Sequence, residues 1–247
     1  MMDQDLKTAT IVTDVVDVVA GDHTTTVKSQ MAEDVDGEMV MSRLRFQYLD
    51  LTIHMSRQAM HDLVSALNDR QQSIIITANI DVHSTHVDFS QHGQRILYTP
   101  NAGGPSIMSE ALSAEIMDRI LGIRRIFTEC EVQYSKSKQR AMTDYACHLS
   151  LKGGGGLGVS VTRAIVHRGR LSSKAAKRLV TKKAVGILKS TDAVINCSFQ
   201  RQVLHIWVPN GTDSAIVRRA CSKLTPALKS NTIFFITTVN MSNVFSA

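Results

Sequence analysis

The chain has 247 residues, 43% hydrophobic and 20% charged, which allows a substantial core and is unlike a disordered composition. Its +6 formal charge is uneven: residues 1–100 carry 14 Asp/Glu against 7 Lys/Arg (net −7), and residues 101–247 carry 8 against 21 (net +13). No apolar run approaches the ~20 residues of a membrane span, and the first residues carry acids where a signal peptide wants basic ones, so neither class is expected.

Residues 1–37 form a first segment. TATIVTDVVDVVAG reads as one strand, and the polar, acidic stretch ending in AEDVDG reads as loosely ordered. Residues 38–99 read as a small α+β module. MVMSRLRFQYLDLTIHM alternates as one or two strands. Ser56 then caps a helix to about Asn68, with Met60, Leu63, Val64 and Leu67 on one face. SIIITANIDVH, THVDFS and RILYT are predicted as three short strands. TPNAGGPS, at 99–106, is a dense turn cluster and marks a boundary.

Residues 100–247 read as one larger domain. A helix over 107–122 is stopped by Gly122, and strands follow at 125–134, 141–151 and 157–166. A helix over 172–189 starts at Ser172 or Ser173, before the strand VLHIWV at 203–208. A third helix over 212–228 precedes the strand TIFFITTV. The predicted class is α/β (α+β): an αβββαβ core with a mixed sheet flanked by helices, followed by a further αβ pair.

Several residues in this order carry chemistry. The first helix holds Glu110 and Glu115. The first strand holds Glu129 and Glu131, spaced by two and so expected on one face. Asp144 opens the second strand, and is the only Asp between residues 119 and 191. On the third strand, GVSVTRA, alternation puts Val159 and Val161 on one face and Ser160 and Thr162 on the other. The second helix holds Lys182 and Lys183. Lys183 follows Val180 by three and Ala176 by seven, which puts it at the edge of the apolar face, in reach of the sheet.

With this element order, and with SEALSAE, TECEVQY, TDY, GVSVTRA, TKKAVGILKST and VLHIW, the chain resembles the PD-(D/E)xK nuclease superfamily over about 106–210, and more closely a eukaryotic family related to it. The resemblance implies a restriction-endonuclease-like fold and metal-dependent phosphodiester hydrolysis. By position it implies Asp144 as central metal ligand, Glu110 or Glu115 as the helix acid, and Lys182 or Lys183 as a relocated lysine. Mg²⁺ is the implied ion, with Asp144, Glu115 and Glu129 as ligands. The chain departs from the pattern where Ser160 and Thr162 replace the third-strand acid and lysine.

Arg163, Arg168, Arg170, Lys174, Lys177, Arg178, Lys182, Lys183 and Lys189 follow one another with no acid between them. Lys174, Lys177, Arg178 and Lys182 share one helical face, suited to a phosphate backbone. The bland reading of such a face is plain solvation, and the lack of a compensating Glu at i ± 4 weighs against it. Gly153–Gly156 precedes a strand and reads as a hairpin turn, not a phosphate loop. Asp81, His83, His86, Asp88 and His92 read as surface polar residues rather than a metal cluster, and His148 as structural. Trp207 is expected in a core strand. Cys130, Cys147, Cys197 and Cys221 have no CxxC spacing, which predicts reduced thiols in an intracellular, nuclear or cytoplasmic setting.

Three functions fit these residues. One is a nucleic-acid-binding, metal-dependent nuclease; another is an inactive nuclease-fold protein that binds DNA or RNA or scaffolds a complex. The third is a protein-interaction module whose acidic front covers its basic back.

Overall fold

The computed structural model describes residues 11–20, 23–33, 39–69, 72–100, 106–136, 141–150, 155–166 and 170–245. Most of the 99–106 turn cluster, Arg168, and Gly153 and Gly154 of the glycine run lie outside the described residues.

The first strands are β1 (Ile11–Ala20), β2 (His23–Glu33), β3 (Met39–Gln47) and β4 (Leu51–Ser56). β2 occupies much of the stretch expected to be loose; it is ordered by antiparallel pairing with both β1 and β3. Ser56 caps α1 (Arg57–Asn68), its side chain accepting from the Ala59 N–H at 3.0 Å, and Leu63 and Ala66 are buried. β5 (Ile74–Val82) follows, antiparallel to β4.

Two expected strands are corrected. THVDFS forms none: the Asp88 N–H donates to the Asp50 carboxylate at 2.8 Å instead of to a neighbouring strand. RILYT belongs to α2 (Gln91–Tyr98), whose cap is Ser90 and whose His92, Gly93 and Ile96 are buried. Packing against the next helix overrides the strand preference of these residues.

That helix is α3 (Ile107–Leu121), ended by Gly122 at φ 69°. Then come β6 (Ile123–Thr128), β7 (Tyr145–Leu149), β8 (Gly156–Arg163), α4 (Ser173–Ala193) and β9 (Phe199–Val208). The chain finishes with α5 (Gly211–Ser222), α6 (Pro226–Lys229), β10 (Thr232–Val239) and α7 (Ser242–Phe245). The helix expected over 212–228 is two, broken before Pro226, whose ring and missing N–H favour a helix start.

All ten strands form one mixed sheet in the order β1-β2-β3-β4-β5-β10-β9-β8-β7-β6. β5, β10, β9 and β8 run parallel, and the flanking pairs are antiparallel. The module at 38–99 is therefore no separate layer, because β5 pairs residue by residue with β10. β9 and β10 are buried along almost their whole length, as parallel strands covered on both faces must be.

Helices cover both faces. Val203, Trp207, Ile233 and Phe235 share a core with Leu112, Ile116 and Met117 of α3, and with Leu51 and Ile53. Leu204, Ile206, Phe234 and Ile236 pack under Ala176, Val180, Ala184 and Ile187 of α4 and Val217 of α5. Each buried Val, Leu, Ile, Phe or Met side chain in these layers contributes about 1.5–3 kcal/mol. Across the α3 face, Ser113 Oγ bridges the Tyr145 hydroxyl at 2.9 Å and His205 Nδ1 at 2.7 Å. Burial pushes His205 down to about 3, so it is neutral. Among the described residues no helix is long and apolar enough to cross a membrane.

Candidate functional site

α3 starts at Ser106, and its first turn carries Glu110, only 4% exposed. The Ser106 hydroxyl donates to Glu110 Oε1 at 2.5 Å. Asp144 lies just before β7. Its N–H donates to the Val159 carbonyl at 3.0 Å, which fixes it beside β8. The Val161 N–H donates to Asp144 Oδ2 at 2.5 Å, and Lys183 Nζ donates to the Val161 carbonyl at 2.9 Å. One strand residue thus presents its amide to the carboxylate and its carbonyl to the ammonium.

Burial is the largest influence on Glu110 and pushes it up to about 7; the Asp144 charge adds to this, and the Ser106 hydroxyl opposes it. Glu129 raises Glu110 further and Lys183 lowers it. Asp144 is also raised, by burial first, with Lys183 and the Val161 amide opposing and Glu129 adding. Glu110, Glu129, Asp144 and Lys183 therefore form one electrostatic centre at the junction of α3, β7, β8 and α4. Burial and the neighbouring carboxylate raise Glu110 toward neutral pH, so protonation at this centre changes near pH 7.

Among the described residues no three His, Cys, Asp or Glu side chains are grouped to hold a metal ion. Glu110 Oε1 and Asp144 Oδ2 each accept a hydrogen bond from within the protein. Ser160 and Thr162 register beside Leu204 and Ile206 and so face the α4 layer, whereas Glu110 comes from the α3 layer.

The other expected site residues lie elsewhere. Glu115 is a correction. Its Oε1 accepts from Arg119 Nε at 2.6 Å and its Oε2 from the Ser90 N–H at 2.7 Å, and it is fully buried. Arg119 also makes a fork to Asp50, at 2.6 and 2.9 Å. Glu115 thus belongs to a buried Asp50–Arg119–Glu115 network tying α3 to the turn before β4. Its spacing of four from Arg119 was the available signal.

Glu129 and Glu131 are not on a strand face, because β6 ends at Thr128. Glu129 joins the centre, while Glu131 accepts from the Thr128 N–H at 2.9 Å and from Arg95 at 2.5 Å. Lys182 points outward, and Lys183 alone of that pair reaches β8. Asp81, His83, His86 and Asp88 are exposed, as expected of surface polar groups, whereas His92, expected at the surface, is buried where α2 packs on α3. Asp81 meets His54, His83 meets Thr52, and His92 meets Asp118 at 2.9 Å. The His148 ring lies 5.7 Å from that of Phe127.

On the outer face of α4, Lys174, Lys177, Arg178 and Lys182 are exposed, in line with their i, i+3, i+4, i+8 spacing. Among the described residues none of the four forms an ion pair. Arg170 is exposed just before the helix, and Arg163 is half-buried at the end of β8. The neighbouring α5 adds exposed Arg218 and Arg219, with Lys223 just after it; sequence reading did not include these. Their signal was the short interval separating them in a second amphipathic helix.

Comparison with known proteins gives one relative to describe. The chain is 31% identical over 183 residues to the "AAC-rich mRNA clone AAC4 protein" of Dictyostelium discoideum. The match covers 70% of this chain, which spans about a quarter (26%) of the length of that relative. No family model matches, and no solved structure matches.

Proposed function

We propose that the protein binds nucleic acid through the basic face of α4, carried on a restriction-endonuclease-like αβββαβ core. The observation that carries this reading is the set of four exposed, unpaired cations Lys174, Lys177, Arg178 and Lys182 along one helix face. Held at helical spacing on a well-packed helix, they offer a rigid row of positive charge about 12 Å long from first to last, at the ~1.5 Å rise per helical residue. Neutralising phosphates along that row releases counterions and drives association without base readout. Arg170, exposed just before α4, adds a further cation at its start, and the neighbouring α5 carries exposed Arg218 and Arg219. The reading places the protein inside the cell, where its four free thiols stay reduced.

The Glu110–Asp144–Lys183 centre supports a second reading, phosphodiester hydrolysis, because helix acid, strand acid and lysine share one electrostatic centre. Among the described residues no three carboxylates are grouped as metal ligands, and binding is the better-supported function.

Fluorescence anisotropy with labelled single- and double-stranded DNA and RNA tests the reading. Binding that survives Asp144→Ala and is lost when Lys174, Lys177, Arg178 and Lys182 all become Ala is the expected result. Binding unaffected by the fourfold variant would overturn it. Cleavage of the same oligonucleotides with Mg²⁺ or Mn²⁺, abolished by Asp144→Ala, would favour the second reading.

A further inference from the structure

A second basic feature lies at the sheet edge formed by β6. Between α2 and β6 is a cleft of about 440 Å³, lined by Gln91, His92, Arg95, Arg124, Arg125 and Ile126. Three arginines line it, and no acid does.

The nearby acids are already committed. Glu131 holds Arg95 at 2.5 Å, and Asp118 holds His92 at 2.9 Å while also accepting from the Ile123 N–H at 2.7 Å. Arg125 is braced instead of paired, its guanidinium lying 4.5 Å from the centre of the Phe127 ring. Arg124 is exposed, and its side chain has no hydrogen-bond or ion-pair partner among the described residues. Arg124 therefore brings an uncompensated guanidinium group to a concave surface whose walls are a helix and a strand, and Arg125 lines the same cleft at the strand edge, its own guanidinium resting over Phe127.

We propose that this cleft binds a phosphate-bearing anion. Guanidinium forks match phosphate oxygens in a bidentate fashion. Gln91 and His92 supply further polar contacts on the helix side. The volume lies within the range of small-molecule sites, ~300–1,000 Å³, and exceeds the needs of a single inorganic ion. The shared chemistry is a phosphate ester or diphosphate group. It can come from a free nucleotide or from the phosphorylated end of a nucleic-acid strand. The site is independent of the α4 face, which is built from other elements.

Isothermal titration calorimetry of the full chain with sodium pyrophosphate at fixed ionic strength tests the proposal. Saturable binding is expected in the native protein. Arg124→Ala with Arg125→Ala weakens it at least tenfold, while the fourfold Ala variant of α4 keeps it. Both arginines are exposed, so an unchanged melting temperature separates lost binding from lost folding. ADP and a 5′-phosphorylated dinucleotide, each compared with its unphosphorylated form, distinguish the two sources. A preference for the phosphorylated form of either supports the cleft for that source. No saturable pyrophosphate binding, or binding equal in native and double-variant protein, would overturn the proposal. So would binding that disappears with the α4 substitutions alone.

Discussion

Replacing Glu110 by Gln isolates the protonation of the buried carboxyl centre. Gln keeps the side-chain oxygen that accepts from Ser106 and removes the titratable charge. The carboxyl rises from its usual 4.5 to about 7, with burial as the main cause and Asp144 next. Because the folded value lies above the unfolded one, Glu110 favours folding fully below about pH 4.5. That advantage declines as pH rises through about 7 and is then gone. At about 1.4 kcal/mol per pH unit, the stability lost across that window is about 3 kcal/mol. Relative to the native protein, Glu110→Gln is therefore expected to gain stability steadily between pH 4.5 and 7 and to level off above. Urea denaturation at half-unit steps from pH 4.5 to 8.5 gives the difference directly, because most other titrating groups cancel between the two proteins. Asp144 does not cancel entirely, since it loses a repulsive neighbour, and this adds to the gain at high pH. A stability difference that is flat across the range would refute the reasoning, since it would mean that Glu110 titrates alike in both states.

Three further substitutions test the packing around the site. Lys183→Met removes the ammonium between Asp144 and the Val161 carbonyl and is expected to destabilise the protein by about 2 kcal/mol in urea. That loss is larger at pH 8 than at pH 5, because both raised carboxyls lose the cation that holds them down. Arg119→Met strands Asp50 and Glu115 in the interior and is expected to cost about 3–5 kcal/mol, measured by the same denaturation. Gly93→Ala places a Cβ 2.7 Å from Phe89 Cδ1 and 2.8 Å from Glu115 Oε2. It is expected to lower the thermal midpoint, at a cost of about 1–3 kcal/mol. An exposed helical position would show the opposite sign.

Much of the fold is legible in the chain, and the parts that are not have identifiable causes. The α3–β6–β7–β8–α4–β9 order follows from caps and periodicity: Gly122 stops α3, and Ser172 caps α4. α2 is not legible, because RILYT carries residues typical of strands and only contact with α3 makes it helical. β2 depends on its two neighbouring strands, which a local pattern does not contain. The site shows the same division. Periodicity distinguishes Lys183 from Lys182, because the rise of the helix sets which one borders the apolar face. Burial does not separate Glu110 from Glu115, since α3 is buried on nearly all sides, and only the i, i+4 spacing of Glu115 from Arg119 marks the difference. Glu115 pairs with Arg119 four residues on, and Arg119 in turn forks to Asp50, 69 positions away. The β6 cleft is equally hidden, because it brings α2 to a strand more than 25 residues further along.

The claim that α4 binds nucleic acid is tested most directly by the salt dependence of oligonucleotide affinity. For a duplex, each neutralised phosphate contributes about 0.9 to the slope of log affinity against log salt. The slope is expected to be steep in the native protein and to fall by about 3 to 4 when Lys174, Lys177, Arg178 and Lys182 are replaced together by Ala. A flat slope in the native protein, or the same slope in both, would contradict the account.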